Sequence, residues 1–224
     1  MPLSPPAPAS PLAGIRRRIA EAAALARRDP AEVTLVAVSK NHPGERIVPL
    51  LDKGQRTFGE NRVQEAASKW PALRERYAGI SLHLVGRLQS NKADEAVALF
   101  DAIHSLDRPS LVAALAGAMD KHGRRPPCFI QVNIGDEPQK GGCPLGEVGT
   151  LLAEARAADI PIAGLMAVPP FGIEPAPCFA LLAKLADDHG LAGLSMGMSG
   201  DFETAVMLGA THVRVGTALF GERS

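Results

Sequence analysis

Val33-Thr34-Leu35-Val36-Ala37-Val38, closed by Ser39-Lys40, is the stretch that decides the fold. It is a continuous apolar run rich in β-branched residues, without polar alternation. Such a run marks a strand buried on both faces, as in a parallel sheet. Before it, over about residues 12–28, Leu12, Ile15, Ile19, Ala22, Ala23, Leu25 and Ala26 recur at helical spacing, and Asp29-Pro30 ends the helix. After it a helix is predicted over 44–53.

The same alternation runs to the C-terminus. Further strands are predicted at 56–59, 82–85, 102–105, 128–133, 162–166, 194–196 and 212–215. Helices are predicted over 61–77 (interrupted at Pro71), 91–100, 110–122, 145–157, 175–189 and 202–208. Eight strands, each followed by a helix or a helix start, predict an α/β fold, a single (β/α)8 TIM barrel over residues 12–224. Residues 1–11, rich in Pro, Ala and Ser, read as a disordered lead-in.

Composition narrows the function classes. In the 224 residues, 24 Lys+Arg balance 24 Asp+Glu, so no net field favours nucleic acid or an anionic membrane. Seven Phe, one Tyr and one Trp leave few rings for base stacking. No apolar run reaches membrane-spanning length, and the N-terminus lacks the basic and apolar regions of a secretion signal. Cys128, Cys143 and Cys178 are odd in number and widely spaced. They read as small buried or half-buried residues in a reducing cytoplasm, not as a disulfide framework or a zinc site. No two histidines stand at metal-binding spacing, and His83 and His104, inside strands, read as hydrogen-bonded core residues.

Barrel sites sit where strands end and helices begin, and phosphate is often held by the loops after strands seven and eight. Two stretches fall there: Ser195-Met196-Gly197-Met198-Ser199-Gly200-Asp201 and Arg214-Val215-Gly216-Thr217. Small residues, free backbone N–H groups and a hydroxyl make a phosphate cup. Lys40, at the end of the first strand, is either a solvated lysine or a Schiff-base former. A phosphate cup with a strand-end lysine suggests pyridoxal 5′-phosphate (PLP), which carries both a phosphate and an aldehyde. Asn61 either caps the following helix or offers its amide to a ligand. Gly86 to Lys92 is a polar strand end with donors for the mouth, and Ser90 there reads as an N-cap. Gln131 and Asn133 should point to one side of the fifth strand, ahead of a loop carrying Lys140.

Seven segments in order resemble the pyridoxal phosphate homeostasis protein family (the YggS/PROSC group). They are Ala37-Val38-Ser39-Lys40, Phe58-Gly59-Glu60-Asn61-Arg62-Val63-Gln64-Glu65, Gly86-Arg87-Leu88-Gln89-Ser90-Asn91-Lys92, Gln131-Val132-Asn133-Ile134, Gly164-Leu165-Met166-Ala167, Leu194-Ser195-Met196-Gly197-Met198-Ser199 and Val213-Arg214-Val215-Gly216-Thr217-Ala218-Leu219-Phe220-Gly221. That family resembles the N-terminal barrel of alanine racemase. The resemblance implies that Lys40 forms the internal aldimine with PLP, that Ser199, Gly216 and Thr217 hold the phosphate, and that Arg214 faces the pyridine nitrogen. It places Asn61 near the ring, with Met196 and Gly197 lining the pocket.

The resemblance also implies a role: holding PLP for vitamin B6 homeostasis, without catalysis, with hand-over to apo PLP-dependent enzymes. A monomer in the cytoplasm is expected, with no nucleic-acid or membrane partner. The alternative is a PLP-dependent amino-acid racemase. Against it, racemases of this type take a catalytic tyrosine from a C-terminal β-domain, whereas the one tyrosine of this sequence, Tyr77, lies in an early helix.

Overall fold

The computed structural model describes residues 10–137 and 141–221. Eight parallel strands form a closed barrel in chain order: β1 (Thr34–Val38), β2 (Thr57–Glu60), β3 (Ser81–Leu84), β4 (Ala102–Leu106), β5 (Cys128–Val132), β6 (Ile162–Ala167), β7 (Gly193–Met198) and β8 (His212–Val215). The ring closes where Thr34, Leu35, Val36 and Ala37 of β1 pair with His212, Val213, Arg214 and Val215 of β8. Around it run α1 (Pro11–Leu25), α2 (Gly44–Asp52), α3 (Val63–Arg76), α4 (Ala93–Leu99), α5 (Pro109–His122), α6 (Val148–Ala157), α7 (Ala176–Asp188), α8 (Phe202–Met207) and α9 (Thr217–Phe220). The fold is the single (β/α)8 barrel expected from the sequence, with strand limits shifted by one or two residues.

Val36 and Ala37 are fully buried, as a strand covered on both faces requires. The helix after β8 has only four residues. The outer layer is completed there by α1, which packs against α8 and α9. Leu12, Ile15, Ile19 and Ala22 form its buried stripe. Each of the larger side chains contributes about 1.5–3 kcal/mol by leaving water. Arg18 clamps Glu203 of α8 with two hydrogen bonds, Nε to Oε1 at 2.7 Å and Nη2 to Oε2 at 2.6 Å. Both side chains are more than a third exposed, so this bidentate pair fixes orientation more than it adds stability.

Several local expectations are corrected. The lead-in expected over 1–11 has residues 1–9 outside the described residues. Ser10 and Pro11 belong to the barrel, because Ser10 Oγ caps α1 at the Ala13 N–H and Pro11 is its first residue. Pro71 does not interrupt α3. It removes one backbone donor, but Trp70 and Leu73 on either side are buried and hold the helix in place. Asn61 is not a cap: Arg62 occupies the N-cap position, and no side chain caps that end. Ser90 opens a short 3-10 turn and accepts from Arg108 Nη2 at 3.1 Å.

The barrel interior is partly polar. His83 (β3), His104 (β4), Phe129 (β5) and His212 (β8) pack ring on ring, His104 stacking on Phe129 at 4.3 Å. His104 Nδ1 lies 2.8 Å from Ser195 Oγ of β7. Strands four and seven are not neighbours, so this bond crosses the inside of the ring. Among the described residues no helix is long and apolar enough to cross a membrane.

Candidate functional site

Lys40 is carried on a tight turn at the mouth. His42 N–H donates to the Ser39 carbonyl at 3.1 Å, and Asn41 takes a left-handed φ of 63°, which asparagine tolerates. The turn is pinned from below. Lys69 Nζ donates to the carbonyls of Ser39 (2.9 Å) and His42 (3.0 Å), bracketing Lys40. Lys69 also pairs with Glu60 and Glu65, each at 2.9 Å. Glu60 Oε1 accepts from Ser39 Oγ at 2.6 Å and from Trp70 Nε1 at 3.1 Å. Burial pushes the Glu60 carboxyl above the usual range, against the hydrogen bonds from Ser39, Lys69 and Trp70.

Asn61 follows β2 directly. Its backbone is set by Gly86 at the end of β3, where an added Cβ would lie 2.6 Å from Asn61 Cα. Only glycine allows the two strand ends to approach this closely.

On the opposite side, β7 and β8 deliver the small residues. Gly197 has φ of 89°, and a Cβ there would meet Ala205 Cβ at 2.5 Å. That turn brings Ser199 to the mouth. Ser199 Oγ accepts from the N–H groups of Gly216 (3.3 Å) and Ala218 (3.5 Å), so the two loops converge on one hydroxyl. Met198 N–H donates to Asp201 Oδ1 at 2.5 Å and closes the β7 loop.

Arg214 forms the inner wall. Nη1 donates to Ser195 Oγ at 2.6 Å and Nη2 to the Ala167 carbonyl at 2.9 Å. Only 5 % of the residue is exposed, and among the described residues no carboxylate lies within ion-pair distance. Burial pushes its guanidinium down to about 10, with Asp201 acting in the other direction.

These groups surround one cavity of about 440 Å³. Lys40, Asn61, Ser199, Arg214, Gly216 and Thr217, all anticipated from sequence, line it. Met196 and Gly197 do not. Met196 is fully buried in the core. The β7–β8 register shifts between Ser195 and Met198, and the Gly197 turn sends Met198 to the cavity instead. Sequence reading also missed His42, which lines the wall and stacks on Phe220 at 4.7 Å. A lone histidine two residues after Lys40 gave no signal of its own.

The Gly86–Lys92 segment does not reach this cavity. Arg87, Gln89 and Lys92 line an adjoining surface cavity that shares Asn61. Gln131 and Asn133 do face one side, a small pocket of about 100 Å³ beside Val168. Lys140 lies outside the described residues. Among the described residues no cluster of His, Cys, Asp or Glu is placed to hold a metal. Cys128 and Cys143 are buried, Cys178 is half-buried, and no disulfide joins any of the three.

Chemically the mouth combines a primary amine, a buried guanidinium and converging N–H and hydroxyl donors, with no carboxylate among the described residues of the lining. That donor set favours an anionic, phosphate-bearing ligand. An eight-stranded barrel with this mouth is the class defined by the N-terminal domain of alanine racemase, whose family model matches residues 11–224. Within that class, the chain belongs to the pyridoxal phosphate homeostasis protein family. It is 39 % identical over 228 residues to the protein of that name from Escherichia coli K12, covering 95 % of both chains. It is 39 % identical over 221 residues to the one from Pseudomonas aeruginosa, covering 95 % of this chain and 94 % of that one. The structure of PipY from Synechococcus elongatus with PLP bound is 40 % identical, with a TM-score of 0.81, over 91 % of this chain and all of that one. Alanine racemase of Clostridium difficile shares the fold, at 13 % identity and a TM-score of 0.69 over 93 % of this chain and 56 % of its own.

Proposed function

We propose that this protein binds PLP in the mouth cavity and takes part in vitamin B6 homeostasis, without catalysing a reaction. One observation carries the reading. The amine of Lys40, the buried guanidinium of Arg214 and the donors around Ser199 share a single cavity with no carboxylate among the described residues of its lining. PLP needs each of these: an amine for its aldehyde, donors for its phosphate and a partner for its ring nitrogen. The names of the relatives support the same reading.

When bound, the cofactor supplies an aldehyde that reacts with amines and a ring that withdraws electrons. Lys40 would present its amine from the pinned turn. Ser199, Gly216 and Thr217 would hold the phosphate. Arg214, which can only donate, would meet the ring nitrogen and leave it unprotonated, weakening the ring as an electron sink. Asn61 would fix the ring edge from β2. Three cysteines outside any disulfide support a reducing, cytoplasmic location. Hand-over to apo-enzymes and a monomeric state belong to the same proposal, carried by the family resemblance.

Absence of catalysis is supported by Tyr77. Its hydroxyl donates to Asp52 at 2.7 Å, at the C-terminal end of α3, whereas the cavity lies where the helices begin. No tyrosine is available there as a second base for racemisation.

The test is an absorbance spectrum of the protein with PLP before and after borohydride reduction, with peptide mapping, repeated on Lys40→Ala. A visible band that becomes a fixed adduct on Lys40 is expected. No band, or an adduct scattered over surface lysines, overturns the reading. A chiral assay over D- and L-amino acids should show no turnover; turnover abolished by Lys40→Ala would establish an enzyme instead.

A further inference from the structure

A chain of hydrogen bonds crosses the barrel interior from the cavity wall. Arg214 Nη1 lies 2.6 Å from Ser195 Oγ. Ser195 Oγ lies 2.8 Å from His104 Nδ1. His104 Nε2 lies 3.0 Å from His83 Nδ1, and His83 Nε2 lies 3.0 Å from Ser81 Oγ. A guanidinium only donates. Ser195 therefore accepts from Arg214, and among its hydrogen-bond partners only His104 Nδ1 can take its one hydroxyl proton. His104 then carries its proton on Nε2 and donates to His83. His83, accepting at Nδ1, carries its own proton on Nε2 and donates to Ser81. The arginine at one end, together with His104 as the one acceptor open to the Ser195 proton among the described residues, sets the direction of every bond.

We propose that Ser195 and His104 are positioning residues for Arg214, a one-way chain that holds the guanidinium at the cavity wall although neither residue lines the cavity. The proposal rests on the reading of Arg214 as the group that meets a bound ring. Arg214 needs such a device. Among the described residues it has no carboxylate partner within ion-pair distance, and its hydrogen-bond acceptors are one hydroxyl and one carbonyl. With no countercharge to fix it, a long side chain is held by acceptor geometry alone.

The chain works only with neutral imidazoles. A protonated His104 would turn an N–H toward Ser195 Oγ, leaving the Ser195 proton without an acceptor, and would add a second cation to the wall. The charged and titratable groups around the chain are His83, His104, His212 and Arg214, with Asp201 acting on Arg214. Burial holds His83 down to about 3 and His212 to about 4, and His104 well below its usual value, each lowered further by neighbouring positive groups.

Two measurements test the proposal. In the ligand-free protein, two-bond ¹H–¹⁵N correlation of the imidazoles, assigned with His83→Gln and His104→Asn, should show both rings neutral and protonated on Nε2 from pH 8 to pH 5. The Arg214 Nε–H signal should be sharp and slow to exchange, broadening in Ser195→Ala but not in Ser195→Thr, which keeps the hydroxyl. A His104 protonated on Nδ1, or an Arg214 signal indifferent to Ser195→Ala, overturns the proposal. With PLP, Ser195→Ala and His104→Leu should weaken binding about tenfold and shift the visible band. Ser195→Thr and His104→Asn, which keep an oxygen where the chain needs one, should stay within about threefold, although their urea midpoints fall too. Unchanged band and affinity in Ser195→Ala would reduce the chain to core filling. If the wild-type protein takes up no PLP, the functional reading fails while the ligand-free spectra still decide the chain. If Ser195→Ala does not fold, the wild-type tautomers decide it.

Discussion

Glu60 and Lys69 form a buried ion pair directly beneath the turn that carries Lys40, with Nζ 2.9 Å from Oε1. The carboxylate is fully buried and the lysine side chain is 10 % exposed. Lys69 also holds the carbonyls on both sides of Lys40. Removing one partner of such a pair strands a charge away from water. Lys69→Met should therefore cost about 3 kcal/mol at pH 7 by urea unfolding. The loss should shrink as pH falls and Glu60, its carboxyl held above the usual range by burial, takes up its proton. A cost below about 1 kcal/mol at pH 7 would mean that Glu60 does not depend on Lys69.

The two kinds of buried ionisable group should oppose each other in pH dependence. Glu60 is raised in the fold, so its contribution is present below about 4.5 and is lost as pH rises through its folded value. The histidines have the opposite sign. His83 and His212 are lowered to about 3 and about 4, so their contribution is present above about 6.5 and is lost as pH falls toward those values. At pH 5 each should have lost about 2 kcal/mol. Stability should thus fall steeply between pH 6.5 and pH 4, and His212→Asn should flatten the fall. Equal slopes in the two proteins would show that His212 is not buried neutral.

The phosphate cup can be tested by subtraction. Ser199→Ala removes the hydroxyl on which the Gly216 and Ala218 N–H groups converge. A hydrogen bond to a charged group contributes about 1.5–3 kcal/mol, or roughly 10- to 100-fold in affinity. PLP binding should weaken by that factor in a spectroscopic titration, whereas binding of pyridoxal, which lacks the phosphate, should not change. An equal loss for both ligands would place the phosphate elsewhere.

Gly86→Ala should disturb the mouth although Gly86 itself does not line the cavity. The new Cβ would press on Asn61 backbone, which cannot rotate away as a side chain can. Overpacking of this kind costs about 1–3 kcal/mol. The variant should unfold at lower urea and bind PLP more weakly, because Asn61 moves. Wild-type values for both would mean that the β3 end shifts freely.

Amino-acid sequence alone determined the barrel, because buried parallel strands and amphipathic helices write their periods directly into residues such as Val33 to Val38. It also determined the chemistry of the mouth. Lys40, Ser199, Arg214, Gly216 and Thr217 stand at strand ends, and in a barrel all strand ends meet on one face. Tertiary structure decided what local pattern cannot carry. Period-two alternation treats Met196 and Met198 alike, but a register shift and the left-handed Gly197 bury one and expose the other to the cavity. Asn61 reads equally as a cap or as a group facing a ligand; in the fold Arg62 takes the N-cap position and Asn61 lines the cavity. The Glu60–Lys69 pair joins a strand to the helix that follows it, and the Arg214–Ser195–His104–His83 chain joins residues up to 91 positions apart across the ring. The cross-barrel chain arises only when the ring closes, because closure brings distant strands within hydrogen-bond reach and removes the water that would otherwise satisfy them.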